Sequence, residues 1–478
     1  MNTPYHIGAH IMPRLDILRY STHEDYRKTI HELVSTYAVL GFCIFGGTKQ
    51  LVRSTITELQ GLRSENSERM LLFSIDAEWG TAMRISDGTE YPHAFALAKT
   101  NDTKLVEEVG YAIGAELREL GIYWSFAPVV DINSNPKNPI INIRSFGETA
   151  EEVTKYSVSL HRGLHKVGVL SSGKHFPGHG DTIIDSHQGL PSISRSYQDF
   201  ARNELIPFET LIADNIPSIM LGHLAAPKLA TELGATSEEA SLPATISQPI
   251  VTILLRERMG YDGVIITDSL EMAGIRKLGL SDAEIAVKAI QAGVDILLMP
   301  SDPIGAYNAL SQSGIELNNE RIDRLYNNII IIENTKVDKD LPLEAARRAI
   351  RIIGKVDVAN ANYLIIHKDN VQDMKKALIL KDRLPNVVDT PTDSTIIMIL
   401  DRPRGQLTEE KHTDGIQSRI DTIIAAYNQN NLSPRGIILL GNPYLEESFA
   451  PVKPGFVIQA YSDSLPSIHA VLETLINE

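Results

Sequence analysis

The strongest constraint on how this chain can fold is a repeat. Eight short apolar runs, each followed by an amphipathic or polar stretch, fill roughly its first 300 residues. The runs cover residues 5–12, 41–47, 71–78, 122–131, 167–175, 218–223, 263–268 and 295–300. Most are apolar throughout rather than alternating, as expected of parallel strands covered on both faces. Between them, residues 102–120, 150–166, 248–259 and 282–292 show the spacing of amphipathic helices. Strand then helix, eight times over, predicts an α/β fold whose core is a (β/α)₈ TIM-type barrel.

Past the barrel the pattern loosens. Residues 319–333 and 344–353 read as helices, and residues 382–393, with Pro385 and Pro391, as a turn-rich connector. Short strands at 395–400, 436–440 and 457–459, with helices at 415–428 and 465–478, make a smaller α/β sandwich-like domain. The expected division is a catalytic barrel over 1–340, a connector over 341–393 and the small domain over 394–478.

Composition limits the function. With 43% hydrophobic and 22% charged residues, the 478-residue chain is ordinary globular material. A formal net charge of -15 repels phosphate backbones, so no nucleic-acid partner is expected. Cys43, the only cysteine, sits in an apolar run and reads as a buried structural thiol. The first residues lack the basic and apolar regions of a secretory signal, and no run of 18 apolar residues suggests a membrane span. A cytoplasmic enzyme fits, and so does a periplasmic one whose signal has been removed. The sequence does not give the oligomeric state.

Function enters with the polar residues at the strand ends. Asp76, Asp131, the Lys174-His175 pair, His223 and Asp268 each close an apolar run. In barrel enzymes that rim carries the active site. One such aspartate would read as a helix cap, but five positions on one rim do not. The most informative stretch follows the fifth run: Lys174-His175-Phe176-Pro177-Gly178-His179-Gly180-Asp181-Thr182-Ile183-Ile184-Asp185-Ser186-His187. Its proline and glycines make it a shaped loop, and it gathers His, Asp and Lys at the catalytic face. Zinc is the rival reading of three histidines. Their spacing lies in a loop, however, and no cysteine supports a site, so no metal or other cofactor is expected.

This loop resembles the signature of glycoside hydrolase family 3, in its β-N-acetylglucosaminidase branch, K-H-F-P-G-H-G-D-T-x-x-D-S-H, at all twelve specified positions. Other segments agree in order. Phe126-Ala127-Pro128-Val129-Val130-Asp131 is similar to F-A-P-V-x-D, and Asn142-Ile143-Arg144-Ser145-Phe146-Gly147 to N-x-R-S-F/A-G. Thr267-Asp268-Ser269-Leu270-Glu271-Met272 is similar to T/S-D-x-L-x-M. Asp76-Ala77-Glu78-Trp79-Gly80, trailed by Arg84, is similar to D-x-E-G-G with its arginine. The likeness spans about residues 5–335.

The resemblance implies a retaining glycosidase, a β-N-acetylhexosaminidase, with Asp268 as nucleophile and His187, supported by Asp185, as acid/base. The chemistry is consistent with the residues. A retaining enzyme needs an ionised carboxylate held rigidly beneath the anomeric carbon. A histidine oriented by an aspartate can give and take a proton near neutrality. Asp76, Arg84, Arg144, Lys174 and His175 are implied as the clamp on the sugar's hydroxyls and N-acetyl group, with Asp131 close by. His179 and Asp181 read as shaping the loop. The substrate implied is a small cell-wall, chitin-type or glycan oligosaccharide. Trp79 replaces a family glycine and is expected to narrow the pocket or stack on a further sugar ring.

Three alternatives stand beside this reading. A phosphorylase would use phosphate in place of water, since a histidine repels phosphate less than a carboxylate does. A β-glucosidase is disfavoured by the loop dyad. A non-catalytic sugar-binding barrel would require the nucleophile or the dyad to be lost, and all three residues are present.

Overall fold

The structure, a computed structural model, describes residues 4–64, 69–182, 189–329, 335–368, 371–401 and 415–476. It contains two compact units. The first comprises Met1–Thr89, Val106–Asn138 and Gly147–Asp338, and the second Glu90–Leu105, Pro139–Phe146 and Lys339–Glu478.

The first unit is the barrel. Its strands are β1 (Ile11–Met12), β2 (Arg14–Asp16), β3 (Gly41–Phe45), β4 (Leu72–Ile75) and β5 (Trp124–Ser125). They continue as β6 (Leu170–Phe176), β7 (Ser218–Leu221), β8 (Val264–Thr267) and β9 (Leu297–Leu298). β2 through β8 pair in sequence order, every pair parallel. Ile266 and Ile296 bridge β8 to the chain entering β9, and β9 pairs in parallel with β1. Pro13 separates β1 from β2, because a proline has no N–H for the ladder. Cys43 N still donates to Pro13 O at 2.9 Å, so the ring of eight strand positions is closed.

An apolar cluster fills the ring. Met12, Cys43, Leu72, Trp124, Leu170, Met220, Ile266 and Leu298 bring side chains from eight strands, as barrel interiors require. The Trp124 indole N–H, which must find an acceptor when buried, reaches the Ser172 and Ser218 hydroxyls at 2.9 and 3.1 Å. Cys43 is fully buried, and burial pushes its thiol up, away from reactivity. Helices Thr103–Glu119, Ala150–Lys166 and Asp282–Ala292 match their expected spans within a residue or two.

One barrel expectation is corrected. Residues 5–12 were expected as one strand, but Pro4–Gly8 is a helical turn, and only Ile11–Met12 joins the ring. Proline is well suited to open a helix, and Gly8 lies so close to the Tyr37 and Ala38 carbonyls that no Cβ would fit.

The second unit is built on a five-stranded mixed sheet. Its strands are β10 (Arg351–Gly354), β11 (Asn362–Ile366), β12 (Thr395–Asp401), β13 (Gly436–Gly441) and β14 (Phe456–Gln459), ordered β10-β14-β13-β12-β11. Only β10 runs antiparallel. One apolar cluster, around Leu380, Met398, Ile438 and Ile468, includes residues of helices Val371–Arg383 and Leu465–Ile476. A second, around Ile397, Ile420, Tyr427 and Phe449, includes helix Gly415–Asn430. The three strands expected here are present. The stretch 341–393, expected as a connector, carries helices Leu341–Ala349 and Val371–Arg383 and both edge strands. Among the described residues, no helix is long and apolar enough to cross a membrane.

Candidate active site

Asp76, Lys174 and Asp268 leave the carboxyl ends of β4, β6 and β8, the mouth where barrel loops converge. Asp76 lies one residue beyond β4. Lys174 Nζ reaches its Oδ1 at 2.9 Å and Arg84 Nη2 its Oδ2 at 2.6 Å. Lys174 also holds Glu78 Oε1 at 2.7 Å, with both side chains almost wholly buried. Burial alone would push the Asp76 carboxyl up. Lys174 and then Arg84 overcome that and hold it well below the usual carboxylate range. Asp76 therefore stays an ionised acceptor flanked by fixed donors, a layout suited to gripping sugar hydroxyls.

Phe45, at the end of β3, supports this arrangement. The Arg84 guanidinium lies 4.5 Å from its ring centroid and that of Arg14 4.2 Å away. Arg14 in turn pairs at 3.2 Å with Glu271, on the segment following Asp268.

The second group centres on Asp131, which is fully buried. It accepts from His175 Nδ1 at 2.8 Å, His175 N at 3.2 Å and His179 N at 2.7 Å. An ionised carboxylate only accepts, so the His175 proton sits on Nδ1 and Nε2 faces away from Asp131. Burial opposes ionisation of Asp131, but the His175 charge and hydrogen bond outweigh it and lower its pKa. Asp131 thus orients His175 and also shapes the loop backbone.

Asp268 follows β8 directly and remains partly exposed. Its N–H stays in the ladder, bonded to Leu221 O at 3.0 Å, and its Oδ1 accepts from Ser269 N at 2.7 Å. His223 Nε2 donates to Ser269 O at 2.8 Å and its Nδ1 meets Thr245 Oγ1 at 2.7 Å, so His223 helps to fix the backbone beside Asp268. Burial pushes the Asp268 carboxyl up. His175, His223, the Ser269 N–H and Lys174 together bring it below its ordinary value. An ionised aspartate on a rigid strand end, with Lys174 among the groups that favour its charge, has the properties of a nucleophile or electrostatic stabiliser.

The loop after β6 is described as far as Thr182. Asn138 Nδ2 donates to His179 O at 2.9 Å, and the Thr182 hydroxyl meets His179 Nδ1 at 2.7 Å. His179 thus does shape the loop. Asp185 and His187 lie outside the described residues. Arg144 belongs to the second unit, where it is buried and donates to Ile140 O at 3.3 Å.

Two neighbours of the site escaped the sequence reading, and one expectation changes. Glu78 had a signal, because at a strand end a residue two places on from Asp76 shares its face. Phe45 had none, since it looks like the last residue of an apolar run. Trp79 is only 4% exposed, so its ring offers no open face for a sugar to stack on.

A family model described as glycosyl hydrolase family 3 N terminal domain matches residues 11–331. The chain belongs to glycosyl hydrolase family 3. It is 38% identical over 283 residues to a protein named beta-hexosaminidase A from Pseudoalteromonas piscicida, covering 57% of this chain and 47% of that one. A beta-hexosaminidase from Methylococcus capsulatus is 34% identical over 252 residues, 52% of this chain and 70% of its own. The match thus spans about half of the first relative's length. Among solved structures, a family 3 beta-N-acetylglucosaminidase from Paenibacillus sp. superposes with a TM-score of 0.81 at 26% identity, covering 100% of this chain and 97% of that one.

Proposed function

We propose that this protein is a retaining exo-β-N-acetylglucosaminidase, removing terminal β-linked N-acetylglucosamine from cell-wall, chitin-type or glycan oligosaccharides. The observation that carries this reading is Asp268: a rigid, ionised carboxylate at the end of β8, under the influence of His175 and Lys174. The names of the relatives support the sugar class.

In the proposed reaction, the substrate's terminal sugar is held by Asp76, Arg84, Lys174, His175 and Arg144. Asp268 attacks the anomeric carbon and forms a glycosyl-enzyme. His187, with Asp185 fixing its tautomer, protonates the departing oxygen and then takes a proton from the incoming water.

The test is turnover of p-nitrophenyl N-acetyl-β-glucosaminide, with the first-formed sugar anomer followed by NMR. The β anomer should form first, and Asp268→Ala should lose at least about a thousandfold in kcat. Undiminished turnover by Asp268→Ala, or an α anomer first, would overturn the reading. Repeating the assay with phosphate distinguishes hydrolysis from phosphorolysis, which would yield N-acetylglucosamine 1-phosphate.

A further inference from the structure

The loop after β6 leaves the barrel at Phe176 and is described again from Gly189. Its returning limb is firmly seated. Ala225 N donates to Pro191 O at 2.8 Å and Ile193 N to Ala225 O at 2.9 Å, pairing the limb with the segment after β7. Arg195 projects from this anchored limb and forks. One Nη bonds Asp181 Oδ2, on the outgoing limb, at 2.7 Å. The other bonds Glu204 Oε1 at 2.6 Å.

Glu204 is itself a support. It is 3% exposed, and its side chain lies directly beneath Gly178, where an added Cβ would come within 2.9 Å of the Glu204 Cβ and Cγ. Gly178 has a φ of +131, a backbone conformation reserved in practice for glycine. Arg195 and Glu204 therefore hold the outgoing limb at two points, Asp181 by charge and Gly178 by packing. The sugar-gripping groups Asp76, Arg84, Lys174 and His175 are held by one another and by Asp131.

We propose that Arg195 is a positioning residue for proton transfer. It ties Asp181, four and six residues before Asp185 and His187 in the sequence, to the anchored returning limb and to Glu204. This rests on the function proposed above. Its mechanism is the restriction of the loop's two ends, since a donor must be held within a fraction of an ångström to be effective. Losing the clamp should therefore weaken protonation of the leaving group more than binding of the sugar.

The dependence on leaving group tests this. kcat/KM reports steps up to departure of the aglycone, and a 2,4-dinitrophenolate leaves without a proton. Arg195→Met should lower kcat/KM on chitobiose, whose leaving alcohol needs protonation, by at least about tenfold. On the 2,4-dinitrophenyl N-acetyl-β-glucosaminide it should stay within about threefold of wild type. Arg195→Lys, which keeps the charge but not the fork, should fall between. Asp181→Asn keeps the Arg195–Glu204 pair and should repeat the pattern in a milder form, which covers the case in which Arg195→Met fails to fold.

An equal loss on both substrates, or no loss on either, in folded Arg195→Met and Asp181→Asn overturns the proposal. Failure of the underlying function looks different: wild type would then turn over neither substrate, or Asp268→Ala would turn over both. Failure of the acid/base assignment alone would show as His187→Ala lacking any leaving-group dependence.

Discussion

Lys174 carries more of the site than any other single residue described. Its ammonium neutralises two carboxylates, Asp76 and Glu78, in a nearly dry environment. Removing one member of a buried ion pair leaves its partners charged and unsolvated, at a cost of about 3–5 kcal/mol. Lys174→Met should show that loss in chemical denaturation at neutral pH; a variant within about 1 kcal/mol of wild type would argue against a dry cluster. The same carboxylates govern acid behaviour. Asp76, Asp131 and Asp268 all have folded pKa values below their ordinary 3.8. A depressed folded pKa gives stability that is present above the unfolded pKa and lost as pH falls through the folded one. The contribution of these three groups should therefore hold from neutrality down to about pH 5, and disappear only below the ordinary carboxylate range. Denaturation midpoints measured from pH 7 to pH 3 would show this. Replacing all three by asparagine should flatten the lowest-pH part of the curve.

At the scale of elements, the loop after β6 owes its shape to contacts that leave no room for variation. A Cβ on Gly180 would sit 1.6 Å from Ile132 O, on the segment that also carries Asp131. Backbone against backbone cannot yield locally, so Gly180→Ala should displace the loop, lower Tm by several degrees and cut kcat at least tenfold. Retained Tm and kcat would mean the loop has another seating. That crowding was not legible in the sequence, which gave only a glycine in a loop. The eight apolar runs were legible because strands buried on both faces need continuous hydrophobicity. The rim polars were legible because they interrupt it. β10 and β11 were not: Arg351 and Ile352 on β10 are exposed, and both strands are sheet edges too short to show a period. The helix expected over 344–353 ends at Ala349, where the β-branched run of Ile350, Ile352 and Ile353 begins an extended segment. The roles of Asp76, Lys174 and Asp131 could be anticipated from their positions. Their exact partners, Glu78 and Phe45 included, depend on which strands the fold makes neighbours.

For the whole molecule, the division into units does not follow the order of the chain. Glu90–Leu105 and Pro139–Phe146 interrupt the barrel sequence yet belong to the second unit. There Phe95, Ala96 and Ile143 form a buried cluster with Ala349 and Tyr461. His93 Nδ1 meets Ser462 Oγ at 2.9 Å, and Lys376 holds Asp463 at 3.0 Å. Arg348 pairs with Asp102 at 2.8 Å. Arg144 lies within the second of these inserted segments, beside a core completed by residues beyond 340. A chain ending at residue 340 would keep every barrel strand but leave Phe95, Ala96 and Ile143 without Ala349 and Tyr461. Exposed apolar surface of that kind drives association. The truncated chain is expected to bind a hydrophobic dye and to aggregate in size-exclusion chromatography. A monodisperse truncated chain that binds no dye would show that the inserted segments hold their conformation without the rest of the second unit. Arg144→Lys in the full-length protein should raise KM for p-nitrophenyl N-acetyl-β-glucosaminide, and an unchanged KM would remove Arg144 from the proposed sugar clamp.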